Sequence, residues 1–391
     1  MNTVIKEKLG GLKKSMNEFQ QALRNFTVDE NNIMEFTELL AEHMRKLNYD
    51  CVSIDMAGNV IGKINGYGCA DEIVIISHMD YEKNSGVPEF KSGIISALYA
   101  GALIKHALVP LDGNVRVCCI PRAECCDFGI EYLFEQTLKD EARLIKGILL
   151  SEPTGLNLHV GHKGRMEYNI KVKGRFDTSV FGQKGIEILS ELFPLLNELK
   201  KVSLHMPRDY NLGTSSLKIK DVRYNGLYGG SADKEIEVVV DRIFVPEESS
   251  DLILDKAASI ARNIYKENQG VTVNTALAQR KIKTGKGYEA VLNVRHDPWL
   301  MPVNHPFVAS SMEVLNENGF KAALGYWHSI VTEGSYTFSR LNIPTIGFGA
   351  GREDSAEPAG AGEIFNSVYG QTLIIYRRIG MQSFGWSADA I

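Results

Sequence analysis

Residues 72–80 read EIVIISHMD, an apolar run closed by a histidine and an acid. Four consecutive β-branched residues, Ile73 to Ile76, leave no polar face, so the segment reads as a strand buried on both sides. The sequence around it keeps an alternating rhythm. MEFTELLAEHMRKLNYD has the helical period, VSIDMAGNVIGKI reads as a hairpin and SGIISALYAGALIKHAL as a mostly apolar helix. NVRVCCI is a second strand, Ile130 to Leu144 a helix, and IKGILLSEP a further buried strand. Over residues 1–165 this predicts an α/β domain with a mainly parallel sheet flanked by helices.

The rhythm changes after GHKGR. MEYNIKVKGR alternates as a half-exposed strand, KGIEILSELFPLLNELKKV is amphipathic, and TSSLKIKDVRY and KEIEVVVDRIFV alternate again. DLILDKAASIARNIYKE is helical and GVTVNTALAQ alternates. The order β-α-β-β-α-β predicts one antiparallel sheet carrying two helices, as a separate insert over residues 166–283. From residue 284 to 391 the α/β character resumes, with PFVASSMEVLNENGF as a helix, IPTIGFGA as a buried strand and GEIFNSVYGQTLIIYRRIG as a final helix.

With 391 residues, 44% of them hydrophobic and 23% charged, the chain has the make-up of a globular protein with room for two domains. A net charge of −5 carries no footprint for nucleic acid or for an anionic membrane. The first twenty residues lack a continuous apolar stretch, and no apolar run approaches the roughly 18 residues that span a bilayer. The cytoplasm is the default compartment. The six cysteines, Cys51, Cys69, Cys118, Cys119, Cys125 and Cys126, lack the C-x-x-C spacing of a zinc site, and read as reduced, mostly buried thiols.

Functional groups in open α/β sheets gather beyond the carboxyl ends of the strands. His78 and Asp80 end one strand, Glu124 follows NVRVCCI, Glu152 follows IKGILL, and Glu353, Asp354 and Glu357 follow IPTIGFGA. Glu89, in PEFKSG, stands just ahead of the helix after the His78 strand. A histidine and several carboxylates converging from different strand ends suit a divalent ion, because hard cations prefer oxygen and zinc accepts imidazole as well. GFGAG invites a nucleotide reading, but the dinucleotide fingerprint wants a third glycine where the chain has Arg352, and no G-K-[ST] follows.

In order and spacing, SHMDYE, FKSGIISALYAGALIKH, SEPTGL, GHKG, DMAGNVIG and IPTIGFGAG resemble the co-catalytic zinc exopeptidases and deacylases, which include carboxypeptidase G, acetylornithine deacetylase and succinyl-diaminopimelate desuccinylase. NVRHDPWLMPVNHP and VTEGSYTFSRLNIPTIGFGAG are similar to the hydrolase branch linked to selenium metabolism. The resemblance implies a catalytic α/β domain with one or two divalent ions and an inserted ferredoxin-like lid that forms a homodimer. It also implies hydrolysis of a peptide or N-acyl amide bond in a small-molecule or peptide ligand.

Carried over by residue, the resemblance makes His78 a ligand and Asp80 the acid that orients it. Glu89 stands for the bridging aspartate, Glu124 for a ligand of the second ion and Glu152 for a ligand of the first. Glu357 stands where the family supplies a histidine. His162, in GHKG, matches a structural segment, and His328 and Glu333 match a region lining the pocket. Three further positions depart from the pattern: Ala123 replaces the glutamate that serves as general base, Thr178, beside Asp177, replaces the lid histidine, and Ile243 replaces the second arginine of D-R-R.

An all-oxygen second site of Glu89, Glu124 and Glu357 suits Mn²⁺ or Mg²⁺ better than Zn²⁺. General-base help is worth about a hundred- to ten-thousand-fold, so the loss at Ala123 predicts altered hydrolysis by this route. The alternative is a catalytically silent descendant that binds a ligand or metal. Asp80 and Glu124 remain the catalytic candidates.

Overall fold

In the computed structural model the chain divides into two compact units. The first comprises Met1–His162, Ile282–Ala290 and Trp299–Ile391, and the second Lys163–Lys281 and Val291–Pro298. The structure describes the chain apart from residues 1, 25, 27, 29–31, 69–70, 80–90, 122–126, 175–183, 226–233, 267–270, 356 and 382–391; at 2, 184–191, 225 and 234 it describes the backbone alone.

The first unit opens with α1 (Asn2–Arg24), α2 (Ile33–Lys46), β1 (Cys51–Ile54), β2 (Val60–Ile64), β3 (Glu72–His78), α3 (Lys91–His106), β4 (Asn114–Ile120), α4 (Phe128–Tyr132), β5 (Ile145–Leu150) and β6 (Leu158–His162). Helix α1 is an element that the sequence reading does not anticipate. Its buried stripe of Ile5, Leu9, Met16, Phe19 and Leu23 keeps helical spacing, while Gly10 and Gly11 interrupt it with weak helix formers. The helix expected over Ile130–Leu144 is also shorter than its pattern. After α4 it passes into a π turn, Leu133–Thr137, and resumes only as a 3₁₀ turn at Ala142–Leu144. The wider turn brings Leu133, Phe134 and Leu138 into the core, and Thr137 donates a hydrogen bond to Asp55 at 2.8 Å.

The second unit contains β7 (Gly164–Gly174), α5 (Lys184–Ser203), the short paired strands β8 (Arg208–Asp209) and β9 (Gly213–Thr214), β10 (Ser216–Asn225), β11 (Lys234–Phe244), α6 (Ser250–Tyr265) and β12 (Thr272–Leu277). The order across the sheet is β10-β11-β7-β12 with every pairing antiparallel, the ferredoxin-like arrangement. Alternate residues of β7 and β11, such as Tyr168, Ile170, Val238 and Val240, bury against Leu195 and Leu199 of α5 and Ala257 and Ala261 of α6. Beyond β12 come a hairpin of β13 (Gln279–Lys283) and β14 (Glu289–Asn293), then β15 (Arg295–His296), which adds to β7.

The first unit resumes with β16 (Trp299–Leu300), α7 (Pro306–Glu317), β17 (Leu324–Trp327), α8 (Gly334–Thr337), β18 (Thr345–Gly347) and α9 (Ala361–Ile379). Its nine-stranded sheet runs β1-β2-β4-β3-β5-β18-β6-β16, with β17 also on β6. The central strands β4, β3, β5 and β18 are parallel. Helices α1, α3, α7 and α9 pack against one another, and α3 is buried from Ser92 to Ile104. Cys118 and Cys119 are buried in β4, where burial pushes both thiols far above their ordinary pKa, whereas Cys51 is exposed. Cys69, Cys125 and Cys126 lie outside the described residues.

Candidate metal centre

Strands β3 and β5 lie side by side in parallel, with Ile76 opposite Leu150. Carried on by two residues, that register sets His78 beside Glu152, on the same face because strand side chains repeat every second residue. The Ser151 N–H donates to the Ile76 carbonyl at 2.7 Å, so the pairing persists past the end of β5. His78 and Glu152 are both buried, and His78 Nδ1 lies 2.6 Å from Glu152 Oε1.

The supporting shell is tightly specified. Ser151 Oγ donates to the Gly93 carbonyl at 2.9 Å and accepts from Gln371 Nε2 at 2.7 Å, which ties the strand end to α3 and α9. Thr154 Oγ1 exchanges hydrogen bonds with the backbone N–H and carbonyl of Gly349, so the loops after β5 and β18 are locked together. A Cβ at Gly349 would stand 2.2 Å from the Glu152 carbonyl oxygen, which explains a glycine of GFGAG by packing rather than by phosphate binding. Trp327 Nε1 donates to the Pro153 carbonyl at 2.8 Å and closes the shell from β17.

A second acid joins the pair. Glu333, at the start of α8, offers a carboxylate oxygen that lies with the His78 and Glu152 ligand atoms in a group no more than 4.8 Å across, all three residues being buried. Its segment is held from several sides. Thr332 N–H donates to His162 Nε2 at 2.8 Å, and the His162 ring meets Trp299 edge-on at 5.7 Å. Ser335 Oγ donates to Asp127 Oδ1 at 2.9 Å, and the Thr337 and Thr345 hydroxyls pair at 2.9 Å.

Among the proposed ligands the structure brings His78 and Glu152 together. Asp80, Glu89 and Glu124 lie outside the described residues, as do Ala123, Asp177, Thr178 and Ala356. Glu357 is exposed, its N–H bonded to Ser355 Oγ at 3.2 Å, and it is not a member of the His78 group. The member absent from the sequence-derived ligand set is Glu333, whose signal was an acid directly before the glycine that opens a short helix. His328 is exposed, and its N–H donates to the Glu353 carboxylate. Arg242, ahead of Ile243, is held by the carbonyls of Ser216 and Ile243 and by Glu248.

An imidazole and two carboxylates buried together are a donor set that fits a divalent ion, since uncompensated buried charge is costly and a cation offsets it. A carboxylate has two oxygens, so Glu152 can accept from His78 through one and ligate through the other. A second imidazole, His159 on β6, meets Trp327 edge-on at 4.8 Å. Burial, then the nearby His328, lowers its pKa to about 4, so it is neutral at physiological pH.

No protein-family model matches the chain. It is 25% identical over 380 residues to the uncharacterized protein YgeY of Escherichia coli strain K12, covering 90% of this chain and 91% of that one. An uncharacterized metallohydrolase of Methanocaldococcus jannaschii, MJ1497, is 27% identical over 213 residues, 54% of this chain and 56% of its own. A probable succinyl-diaminopimelate desuccinylase of Staphylococcus epidermidis is 23% identical over 116 residues, 30% of this chain and 28% of its own. Among solved structures, the YXEP protein of Bacillus subtilis, described as a dinuclear metal binding peptidase from the M20 family, superposes with a TM-score of 0.66 at 13% identity, over 94% of this chain and 98% of that one. The aminopeptidase PepT of Bacillus cereus gives 0.63 at 14% identity, over 95% and 98%. The chain shares the fold of these metal peptidases, and parts of its sequence are similar to an uncharacterized metallohydrolase and a probable desuccinylase.

Proposed function

We propose that this protein is a metal-dependent hydrolase of an amide bond, acting on a short peptide or an N-acyl amino acid. The observation that carries the reading is the buried His78–Glu152 pair at the carboxyl ends of adjacent parallel strands, where open α/β sheets assemble their sites. By their place in the motifs His78, Glu89 and Glu152 are assigned to a first ion and Glu89, Glu124 and Glu357 to a second, with Glu89 bridging the two. Such an ion, when bound, polarises the scissile carbonyl and acidifies water. Zn²⁺ suits the mixed nitrogen and oxygen set, and Mn²⁺ or Mg²⁺ suits the all-oxygen set.

The inserted second unit is assigned the role of lid and homodimer contact, by its ferredoxin-like topology and its place in the chain. Among the described residues no helix is long and apolar enough to cross a membrane. A cytoplasmic location rests on the sequence alone.

A second reading is a silent binding protein. The alanine at position 123 and the threonine at 178 favour it, because a proton acceptor and an oxyanion donor are both missing from their usual places. One sequence of measurements separates the readings. Purified protein is analysed for bound metal with and without added Zn²⁺ or Mn²⁺, then tested on a panel of N-acyl amino acids and dipeptides. The hydrolase reading expects metal and turnover that Glu152→Ala abolishes; absence of metal at saturating concentrations sinks it, and metal without turnover supports the binding protein.

A further inference from the structure

We propose that Glu333 is a further protein ligand of the ion held by His78 and Glu152, one that the sequence motifs do not assign to it. This rests on the metal reading given above but not on hydrolysis. The group formed by His78, Glu152 and Glu333 is compact enough for one ion. Ligand atoms bonded to one ion at roughly 2.0–2.2 Å stand about 3.3–3.6 Å apart in the tetrahedral geometry that Zn²⁺ prefers. The three side chains already offer atoms within 4.8 Å of one another, so closing on an ion asks for shifts of about an ångström.

Glu333 joins its own helix through its backbone, its carbonyl accepting from the N–H groups of Tyr336 and Thr337. It occupies the position that caps α8, yet its side chain makes no capping hydrogen bond. Its carboxylate is instead carried into the interior, with 4% of the residue exposed, beside another buried acid. Two buried carboxylates side by side repel one another, and an ion between them removes that repulsion.

The backbone that delivers Glu333 is built to a fixed place. His162 Nε2 accepts from the Thr332 N–H, one residue ahead, and Ser335 bonds to Asp127 two residues behind. A Cβ at Gly334 would stand 2.1 Å from the Trp299 ring, so the indole packs directly on the backbone next to the acid. His162 is therefore a positioning residue for Glu333. Glu357, exposed and outside this group, has no such support.

The test is calorimetric titration of the full chain with Zn²⁺ and separately with Mn²⁺, together with the visible spectrum of the Co²⁺-loaded protein. Glu333→Gln is nearly isosteric and Glu333→Ala removes every donor; circular dichroism checks that both fold. Removing an outer partner of a ligand costs roughly 10–100-fold in metal affinity. A true ligand should cost Glu333→Ala at least about a hundredfold on that scale and alter the Co²⁺ absorption bands, while Glu313→Gln, which removes an exposed carboxylate of α7 paired with Arg377, leaves the site within about threefold of the native value. A smaller loss in Glu333→Ala, an unchanged Co²⁺ spectrum, or a Glu313→Gln effect as large as that of Glu333→Ala overturns the proposal. Native metal binding untouched by Glu333→Ala would refute this ligand and leave the hydrolase reading standing. Loss of metal in Glu333→Ala from a native protein without turnover would do the reverse.

Discussion

His78 and Glu152 lie 74 positions apart in sequence and 2.6 Å apart in space, because β3 and β5 run parallel with Ile76 opposite Leu150. Neither residue needs the other's sequence neighbourhood to find it. The sheet register brings an imidazole to a carboxylate where burial takes both out of bulk solvent.

Removing the imidazole should therefore destabilise the metal-free protein as well as the site. In His78→Ala the Glu152 carboxylate stays buried but loses a donor, a change that costs about 1–3 kcal/mol. Thermal melting without metal should show a lowered midpoint. A further comparison with saturating Zn²⁺ should raise the native midpoint and leave that of the variant unmoved.

Restoring the missing base offers a gain-of-function test. If the fold and ions are otherwise competent, Ala123→Glu should raise turnover of N-acyl amino acids or dipeptides by about a hundred- to ten-thousand-fold. Steady-state kinetics at fixed metal would show the gain in kcat. No gain in a metal-loaded, folded variant would mean that another group already accepts the proton, or that the chain binds without hydrolysing.

Acid should weaken the first unit. Burial, then the nearby Lys46, lowers the pKa of His43 to about 4, and burial then His328 does the same to His159. His43 stacks on Phe19 at 3.5 Å and bonds to Tyr99 at 3.0 Å, so the ring is held among aromatic neighbours. Since each ring takes up its proton near pH 6.5 when unfolded, the stability that they contribute is whole above that value. It is lost as pH falls from about 6.5 toward about 4. Urea unfolding at pH 7 and pH 5 should show the drop, and His159→Leu should reduce its size.

Two glycines should respond in opposite directions. Gly349→Ala places a methyl group 2.2 Å from the Glu152 carbonyl oxygen, which forces the backbone at Glu152 to move. Overpacking of this sort costs roughly 1–3 kcal/mol and should weaken ion binding as well. Gly10 of α1 has open space around its α-carbon, and Gly10→Ala should stabilise the protein by about 0.5–1 kcal/mol through helix propensity. Denaturant midpoints and calorimetric metal affinities of both variants check the contrast.

Sequence periodicity carried much of the fold. The unbroken apolar runs of β3 and β5 announced buried parallel strands, and the alternation in β7, β10, β11 and β12 announced an antiparallel sheet with one face on helices. Helix α1 escaped because two glycines broke its stripe, and the π turn after α4 because no local pattern encodes a widened turn that tertiary packing favours. His78 and Glu152 were legible because strand ends gather functional groups whatever the loops do.

Glu333 could not be ranked that way. It sits outside any strand end, before a four-residue helix, and bonds from Thr332 to His162 and from Ser335 to Asp127 help to carry it to the pair. The chain's own order of residues determined the layered α/β unit, the inserted sheet and the motif positions, since hydrophobic period is a local property. Which acids meet one histidine was decided by strand register and by loops packed against distant elements, and those depend on the whole folded unit.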